Sequence, residues 1–516
     1  MKTAGRAGNA PPSRRRGGRD LKKIDAQLPL NRSGRGGCFK LPLIHRWLET
    51  TTPSAPVMEW GHFLSGAATP PSRRRGIGRF LHKPALGTLI ALSLMSVVLS
   101  SPLIAQDSRK QDSGKQGKEK GGVVQFEFKH RPTLRIGKLF RADVRVKVQT
   151  DFRSFSPDVE TDEGTFDLHR GRLGLEGEFL KVFEYEVERD FRQTLGRNDQ
   201  RYPWKDVYGN FKYFDNFQLK FGKFKVPFGM EELTGEHQID FAQRTRISDD
   251  LTPGRDVGAM LHGRFFKRGL SYEAGYFRHD GENGRNHNGD PIANDTYAAR
   301  VTGTPLRELA VPKVIRPVEI GAAFTWSDVP EGLSSVRGNT VMDQVYFPYV
   351  YVKGPRRRVG AEANWITGPF SLKGEFIKMT EAREQQGIYF DDLPAKVSRG
   401  WYVTGTWVLT GEKKEGGVEP KKPLFDGGFG AVEIAGRFEQ IRFGTDTTGD
   451  AFSTPRSPNL RPQRDRAVTF GLNWYANRYM KIQADGIRET LEDPFRSPIP
   501  GRTRFWTGML RLQFVM

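Results

Sequence analysis

The stretch RADVRVKVQTDF, residues 141–152, places charged or polar side chains at its odd positions and mostly apolar ones at its even positions. Side chains of a β-strand point to opposite faces in turn, so this strand has one charged face and one apolar face. A soluble sandwich buries the apolar face in its core. A transmembrane barrel turns that face towards lipid and lines a water-filled lumen with the charged face. The rest of the chain decides between the two.

The same alternation recurs along the chain in sixteen segments, each of about ten residues, the length that a tilted strand needs to cross a bilayer. The segments begin near residues 141, 167, 183, 204, 217, 255, 270, 295, 314, 359, 370, 399, 430, 466, 480 and 504.

The connections between these segments alternate in length. Long connections such as 153–166 and 229–254 alternate with short turns such as 180–182 and 215–216, and residues 411–428 form an exception that is long where a short turn is expected. A membrane barrel has long loops at one end and short turns at the other, whereas a soluble all-β fold has no reason to alternate. The sequence therefore predicts an all-β protein, a 16-stranded antiparallel transmembrane β-barrel, with a soluble all-β fold as the alternative.

Composition agrees with this prediction. Only 37% of the residues are hydrophobic and the mean hydropathy is −0.58, which argues against a bundle of membrane-spanning helices. The net charge of +21 favours anionic partners, but it does not choose among phosphate, nucleic acid and lipid. Cys38 is the single cysteine and precedes all sixteen segments, so disulfides and cysteine-ligated zinc are excluded from the barrel.

The N-terminal part predicts export. Arg79 and Lys83 precede the apolar run 85–99, and the small residue Ala105 follows it, which is the order of a cleaved signal peptide over residues 79–105. A single membrane anchor is the alternative, although the run is short for one. The resulting expectation is an outer-membrane protein of a Gram-negative-type bacterium.

The segments around the signal peptide should not fold. Residues 1–78 are rich in Arg, Pro and Gly, so we expect a disordered extension, or an over-extended gene start with Met58 as an alternative start. Residues 106–122 predict a flexible linker, and residues 123–516 the barrel. We expect no nucleic-acid binding, because the basic extension lacks interleaved aromatic residues and lies upstream of an export signal.

Several stretches resemble the phosphate-selective porin O/P family. They are HRGRLGLEGEF (169–179), FEYEVERDF (183–191), KFGKFKVPFGMEELT (220–234), TPGRDVGAML (252–261), NDTYAARVT (294–302), RGWYVTGTWVLTGE (399–412) and FGLNWYANRYMKI (470–482). The resemblance implies a homotrimeric outer-membrane porin that contacts outer-membrane lipid and passes inorganic anions, phosphate among them. It also implies that the third long loop, after the fifth strand, folds into the lumen and narrows it.

An anion channel must replace part of the hydration of the ion with donors and positive charge, and Arg and Lys supply both. The candidate anion-pathway residues are Arg145, Lys147, Arg170, Arg172, Lys223, Lys225, Arg264 and Arg300 on the strands, and Arg244, Arg246 and Arg255 in or beside the third loop. The alternative for each is an ion pair in the lumen wall, with Glu184, Glu186 and Glu188 as partners. A further basic cluster (Lys353, Arg356, Arg357 and Arg358) is expected in an outer loop, where it would attract anions or contact anionic lipid.

No catalytic motif stands out: the sequence has no G-x-S-x-G, H-E-x-x-H or G-x-x-x-x-G-K-[ST]. The loop at 279–290 is rich in oxygen ligands but lacks the EF-hand order, so we expect a plain surface loop. We therefore expect no enzyme, cofactor or metal site. The expected function is a passive channel that prefers anions, with phosphate or polyphosphate favoured. A non-selective general porin, a surface-binding barrel with a blocked lumen and an outer-membrane hydrolase are the alternatives.

Overall fold

The computed structural model describes residues 124–158, 165–192, 203–292, 294–445 and 460–516. The predicted extension, signal peptide and linker, residues 1–122, lie outside this described part. Among the described residues, no helix is long and apolar enough to span a bilayer.

The described part of the chain is built almost entirely of β-strands. They are β1 (Val124–Phe128), β2 (Pro132–Ile136), β3 (Phe140–Ser156), β4 (Phe166–Phe179), β5 (Phe183–Asp190), β6 (Trp204–Phe214), β7 (Phe217–Lys225), β8 (Arg255–Phe265), β9 (Leu270–Phe277), β10 (Thr296–Gly303), β11 (Glu319–Leu333), β12 (Gly338–Asn339), β13 (Val345–Phe347), β14 (Tyr351–Thr367), β15 (Phe370–Arg383), β16 (Leu393–Val408), β17 (Ala431–Thr445), β18 (Gln463–Tyr475), β19 (Met480–Leu491) and β20 (Arg504–Val515).

Sixteen of these strands, β3 to β11 and β14 to β20, form one closed antiparallel sheet. Each pairs with the next along the chain, and β20 closes the barrel by pairing with β3 from Trp506↔Ser156 to Val515↔Lys147. β2 pairs with the first residues of β3 and carries β1 on its other edge. β12 and β13 form a small separate sheet within the loop that follows β11. The predicted 16-stranded barrel is confirmed.

The strand boundaries differ most from prediction at three places. The strands expected near 314, 359 and 399 begin at Glu319, Tyr351 and Leu393. β14 and β16, with 17 and 16 residues, are longer than the segment that crosses a bilayer and continue beyond it. The inward side chains of these extensions are buried. Consequently Arg356 and Arg358 lie in a strand rather than in an outer loop. Residues 304–318 also form a long connection on the short-turn side, in addition to the expected exception after β16.

The two faces of the strands have the environments that a membrane barrel requires. On β4, Leu173 and Leu175 point outwards and are 50% and 47% exposed, whereas Arg172, the residue before Leu173, points inwards and is buried. On β3, Val148 and Phe152 are exposed, whereas Gln149 and Asp151 are buried. Exposed apolar side chains over most of the outer surface are expected for a barrel that faces lipid, since lipid takes the place of a hydrophobic core.

The long connection between β7 and β8, residues 226–254, folds into the barrel, and we call it the inward loop. It carries two short helices, α1 (Met230–Leu233) and α2 (Arg246–Leu251). Ile247 and Leu251 of α2 are fully buried in a hydrophobic cluster that includes Ile377 and Ile441 of the wall. A Cβ atom at position 400 would collide with the Ile247 side chain, so glycine at Gly400 permits this close approach. The inward loop is therefore packed against β15 to β17.

Leu510 tests the orientation of the barrel wall. It points outwards near the middle of β20, four residues from the exposed aromatic residues Trp506 and Phe514 on either side. We expect Leu510→Arg to destabilise the folded barrel in lipid by about 2–4 kcal/mol, because a cation near the bilayer midplane loses its hydration. Leu510→Ala, which adds no charge, is the control and should cost clearly less. Urea titration of barrels folded into vesicles measures both, and equal losses in the two variants would contradict a lipid-facing position.

Candidate anion pathway

A polar cavity of about 1090 Å³ lies inside the barrel between the inward loop and the wall. Among the described residues, twelve Lys or Arg and eight Asp or Glu side chains line it, a formal excess of four positive charges. The cations are Arg153, Arg170, Arg172, Arg189, Arg192, Lys205, Arg244, Arg246, Arg255, Arg285, Arg337 and Arg511. The carboxylates are Asp151, Asp190, Glu232, Glu236, Asp249, Asp250, Glu282 and Asp343.

One side of this cavity is a wall of guanidinium groups from β4, β8 and β20. Arg172 contacts Asp190 at 2.8 Å and Glu236 at 2.7 Å, and Arg170 contacts Glu236 at 2.6 Å. Arg255 binds Asp206 with two hydrogen bonds of 2.8 and 3.1 Å.

Arg511 binds Asp151 in the same two-pronged way, at 2.6 and 2.7 Å. Such paired donors fix the plane of each guanidinium. The wall is therefore a rigid array of positive groups with known orientation.

The inward loop is held in place by side chains of the opposite wall that bind its backbone. Glu375 accepts the Met230 N–H at 2.8 Å, Glu439 accepts that of Arg246 at 2.6 Å, and Asp485 accepts that of Ala242 at 2.7 Å. On the donor side, Arg358 binds the Leu251 carbonyl at 2.8 Å and Lys481 binds the Ile239 carbonyl at 2.9 Å. These bonds satisfy backbone groups that no regular secondary structure pairs.

The long connection after β16 reaches the same loop from the short-turn side. Lys414 of this connection is buried and contacts Asp240 of the inward loop at 2.7 Å, and it also pairs with Glu433. Lys373 of β15 contacts Asp240 at 2.9 Å. Burial would raise the pKa of Asp240, but the two lysines outweigh it and hold the pKa well below its usual range. The inward loop is thus fixed by ion pairs as well as by backbone hydrogen bonds.

The structure brings five of the eleven predicted pathway residues together. Arg170, Arg172, Arg244, Arg246 and Arg255 all line the central cavity. Of these, Arg246 contacts Asp249 at 2.5 Å, and Arg244 donates to the Thr234 carbonyl at 2.9 Å and lies 3.6 Å from Glu232.

The other six predicted residues lie elsewhere and mostly form ion pairs of the wall. Lys147 pairs with Glu188 at 2.6 Å, and Arg145 pairs with Glu186 and, at 2.8 Å, with Glu176. These contacts are of the kind that the wall-pair alternative describes.

The remaining four are spread over the barrel. Lys223 contacts Glu282 at 2.6 Å, and Lys225 binds the Thr234 carbonyl at 3.3 Å and lies 3.6 Å from Glu232. Arg300 pairs with Glu273 at 3.0 Å and Glu362 at 2.5 Å. Arg264 is exposed near the short-turn end of β8.

Seven of the twelve cavity cations were missed from the sequence, namely Arg153, Arg189, Arg192, Lys205, Arg285, Arg337 and Arg511. Arg511 lies on the polar face of β20, so the alternation itself could have identified it. Arg153 lies on the polar face of β3. The sequence analysis placed it in the connection 153–166, because β3 is 17 residues long and exceeds the expected length of about ten residues. Lys205, the second residue of β6, contacts Glu282 at 3.8 Å. No sequence signal marks it, since Glu282 belongs to a distant loop.

The expectation of an anion funnel at the outer basic cluster is wrong for Arg356 and Arg358. Both are fully buried and share Asp280, at 2.5 and 2.6 Å, and Arg356 also contacts Glu381 at 2.6 Å. Asp280 belongs to the loop that was expected to be a plain surface loop. These buried charges join the loop after β9 to β14 and β15, and a buried ion pair is costly to break.

The closed barrel with a narrowing inward loop and a basic cavity is that of an outer-membrane porin. The model of the phosphate-selective porin O and P family matches residues 140–494, and the chain belongs to this family. Porin O of Pseudomonas aeruginosa is 23% identical over 387 residues, covering 66% of this chain and 81% of that protein.

Solved structures of similar fold share little sequence with the chain. The outer membrane channel DcaP of Acinetobacter baumannii is 10% identical, with a TM-score of 0.47 and coverage of 73% of this chain and 97% of its own. The anion-selective porin from Comamonas acidovorans is also 10% identical, with a TM-score of 0.43 and coverage of 73% and 99%. Both TM-scores are low.

Asp250 makes the charge of the cavity depend on pH. Burial, together with the neighbouring Asp249 and Asp343, raises the pKa of Asp250 to about 8 against the opposing effect of Arg246 and Arg337. Asp250 is therefore neutral below this pH and negative above it. We expect the permeability ratio of chloride to potassium to fall as pH rises from about 7 to about 9.

The Asp250→Asn variant is the control for this pH dependence, because its side chain stays neutral at every pH. We expect its reversal potential in a KCl gradient to change less over the same pH range than that of the unmodified channel. Identical pH profiles for the two proteins would show that Asp250 does not titrate near neutral pH.

Proposed function

We propose that the protein is a passive diffusion channel that prefers small anions and takes phosphate as its favoured solute, without catalysing a reaction. The observation that carries this proposal is the excess of cationic side chains around the central cavity, with Arg153, Arg170, Arg172, Arg255 and Arg511 concentrated on one wall. The family to which the chain belongs supports phosphate as the solute.

The chemistry of the wall suits an oxyanion. Guanidinium groups offer paired donors that match two oxygens of a tetrahedral anion, and fixed donors replace the water that the ion leaves behind. Arg170 and Arg172, two residues apart on the same face of β4, lie closest to such a role, since a single carboxylate oxygen of Glu236 already contacts both. Carboxylates elsewhere on the wall keep the ion from being held too tightly, which conduction requires.

A non-selective general porin is the second candidate, and specific contacts favour it. Arg145, Lys147 and Arg300 are each paired with carboxylates of the wall, so part of the positive charge is cancelled. The two candidates differ in whether the unbalanced cations of the cavity still dominate the field along the pathway.

The reversal potential of the purified protein in a planar bilayer separates these candidates. Across a KCl gradient, an anion-selective current that millimolar phosphate reduces would support the proposed function. A cation-selective or unselective current, unaffected by phosphate, would overturn it in favour of the general porin.

Arg172→Ala tests whether the wall sets the selectivity. We expect it to lower the permeability ratio of chloride to potassium several-fold, because it removes a fixed charge from the cavity and leaves Glu236 and Asp190 less compensated. Arg300→Ala is the matched control: it removes the same charge from a lumen position outside the cavity, so its effect should be small. A similar loss in both variants would argue for net lumen charge rather than a local site.

Homotrimer formation, expected from the family resemblance, stays a prediction. Light scattering of the detergent-solubilised protein after size-exclusion chromatography would test it, and a monomeric mass would contradict it.

A further inference from the structure

Glu236 places a carboxylate of the chain itself where a permeating anion would bind. One oxygen of this side chain lies 2.6 Å from Arg170 Nε and 2.7 Å from Arg172 Nη1. A phosphate oxygen that bridged the two guanidinium groups would make the same two contacts. The carboxylate and the solute therefore compete for the same donors.

The surroundings of Glu236 strengthen this reading. Burial would raise its pKa, but Arg170, Arg172, Arg255 and Arg244 outweigh it and hold the pKa well below the usual range. Four guanidinium groups thus act on one carboxylate. This is a stronger positive field than a single wall ion pair experiences, and it would act equally on a phosphate in the same place.

Removal of the Glu236 side chain from this position would free one arginine in particular. Among the described residues, Glu236 is the carboxylate within ion-pair distance of Arg170, whose other contact is the neutral amide oxygen of Gln149 at 2.7 Å. Arg172, in contrast, would keep Asp190 at 2.8 Å. Arg170 is therefore available to a solute only when Glu236 is displaced.

Glu236 is also placed where it can move. It lies in a turn of the inward loop that is closed by a hydrogen bond from Gln238 N to the Gly235 carbonyl, 2.8 Å long. Its side chain lines the cavity and is 12% exposed, although the carboxylate oxygen that contacts both arginines is buried; Glu375 and Glu439, which hold the loop backbone, are buried as whole residues. A rotation of the side chain alone would withdraw the carboxylate and leave those backbone contacts intact.

We propose that Glu236 is a built-in competitor that occupies the Arg170–Arg172 site and is displaced by each bound anion, so that it sets the affinity of the channel for phosphate. This inference rests on the proposed function. It assigns Glu236 a role in specificity: the residue weakens anion binding and speeds release, and the loop that carries it has other anchors.

The test is the half-blocking concentration of inorganic phosphate for the chloride current in planar bilayers. We expect Glu236→Gln to lower it by about tenfold, the change that corresponds to removing one charge-assisted competing contact. Glu282→Gln is the matched control, because it removes the same charge from the same cavity at a position paired with Lys223 instead of Arg170. Its half-blocking concentration should change much less.

Glu236→Asp separates direct competition for Arg170 and Arg172 from the general effect of a negative charge in the cavity. It keeps the charge but shortens the side chain by one methylene, so the carboxylate no longer bridges both arginines. We expect phosphate to bind more tightly to this variant as well. Its conservative nature also keeps the test usable if Glu236→Gln does not fold, which the heat-dependent electrophoretic mobility of each purified barrel would show.

The outcomes distinguish the two proposals. If phosphate does not block the unmodified channel, the proposed function fails. If phosphate blocks the unmodified channel, but Glu236→Gln matches Glu282→Gln and Glu236→Asp matches the unmodified channel, only the competitor role is overturned.

Discussion

The architecture of this channel depends on hydrogen bonds between lumen-wall side chains and the backbone of the inward loop. A loop inside a barrel is surrounded by protein on most sides, so its N–H and C=O groups need partners other than bulk water. Here Glu375, Glu439 and Asp485 accept the loop N–H groups and Arg358 and Lys481 donate to its carbonyls. Because these partners come from four different strands, β14, β15, β17 and β19, the loop can take only the position that satisfies all of them together.

That constraint explains the unequal composition of the two walls. The wall behind the inward loop carries carboxylates and apolar residues such as Ile377 and Ile441, which serve the loop. The wall across the cavity carries guanidinium groups that line the cavity, and two of them, Arg170 and Arg172, contact the loop through the Glu236 side chain rather than through its backbone. The difference in charge between the two walls thus follows from their roles: one wall binds the backbone of the loop, and the other presents hydrogen-bond donors to an ion.

The sequence predicted the barrel well because the alternation of side chains is a local property that each strand repeats. The number of strands, their antiparallel arrangement and the lumen-facing side of β3 to β6 all follow from this alternation and from the lengths of the connections. It predicted the site only in part, because a position on the polar face says nothing about which carboxylate lies opposite. The pairing of Arg172 with Asp190 and Glu236 depends on strand register and on a loop 64 residues away in sequence, as the positions 172 and 236 show. The burial of Arg356 and Arg358 was missed for the same reason, since Asp280 comes from a distant loop.

A channel that binds its solute must also release it, and these demands conflict at a site made of fixed arginines. A carboxylate attached to the loop resolves the conflict in a way that free ions cannot, because its local concentration is set by the chain and does not vary with the medium. Each anion that enters replaces an interaction that already exists, so the net gain in free energy is small even though each contact is strong. When the anion leaves, the carboxylate returns and the arginines are not left uncompensated in a partly desolvated cavity. The same balance accounts for the wall ion pairs of Lys147 and Arg145, which keep the rest of the lumen from trapping the ion once it has passed.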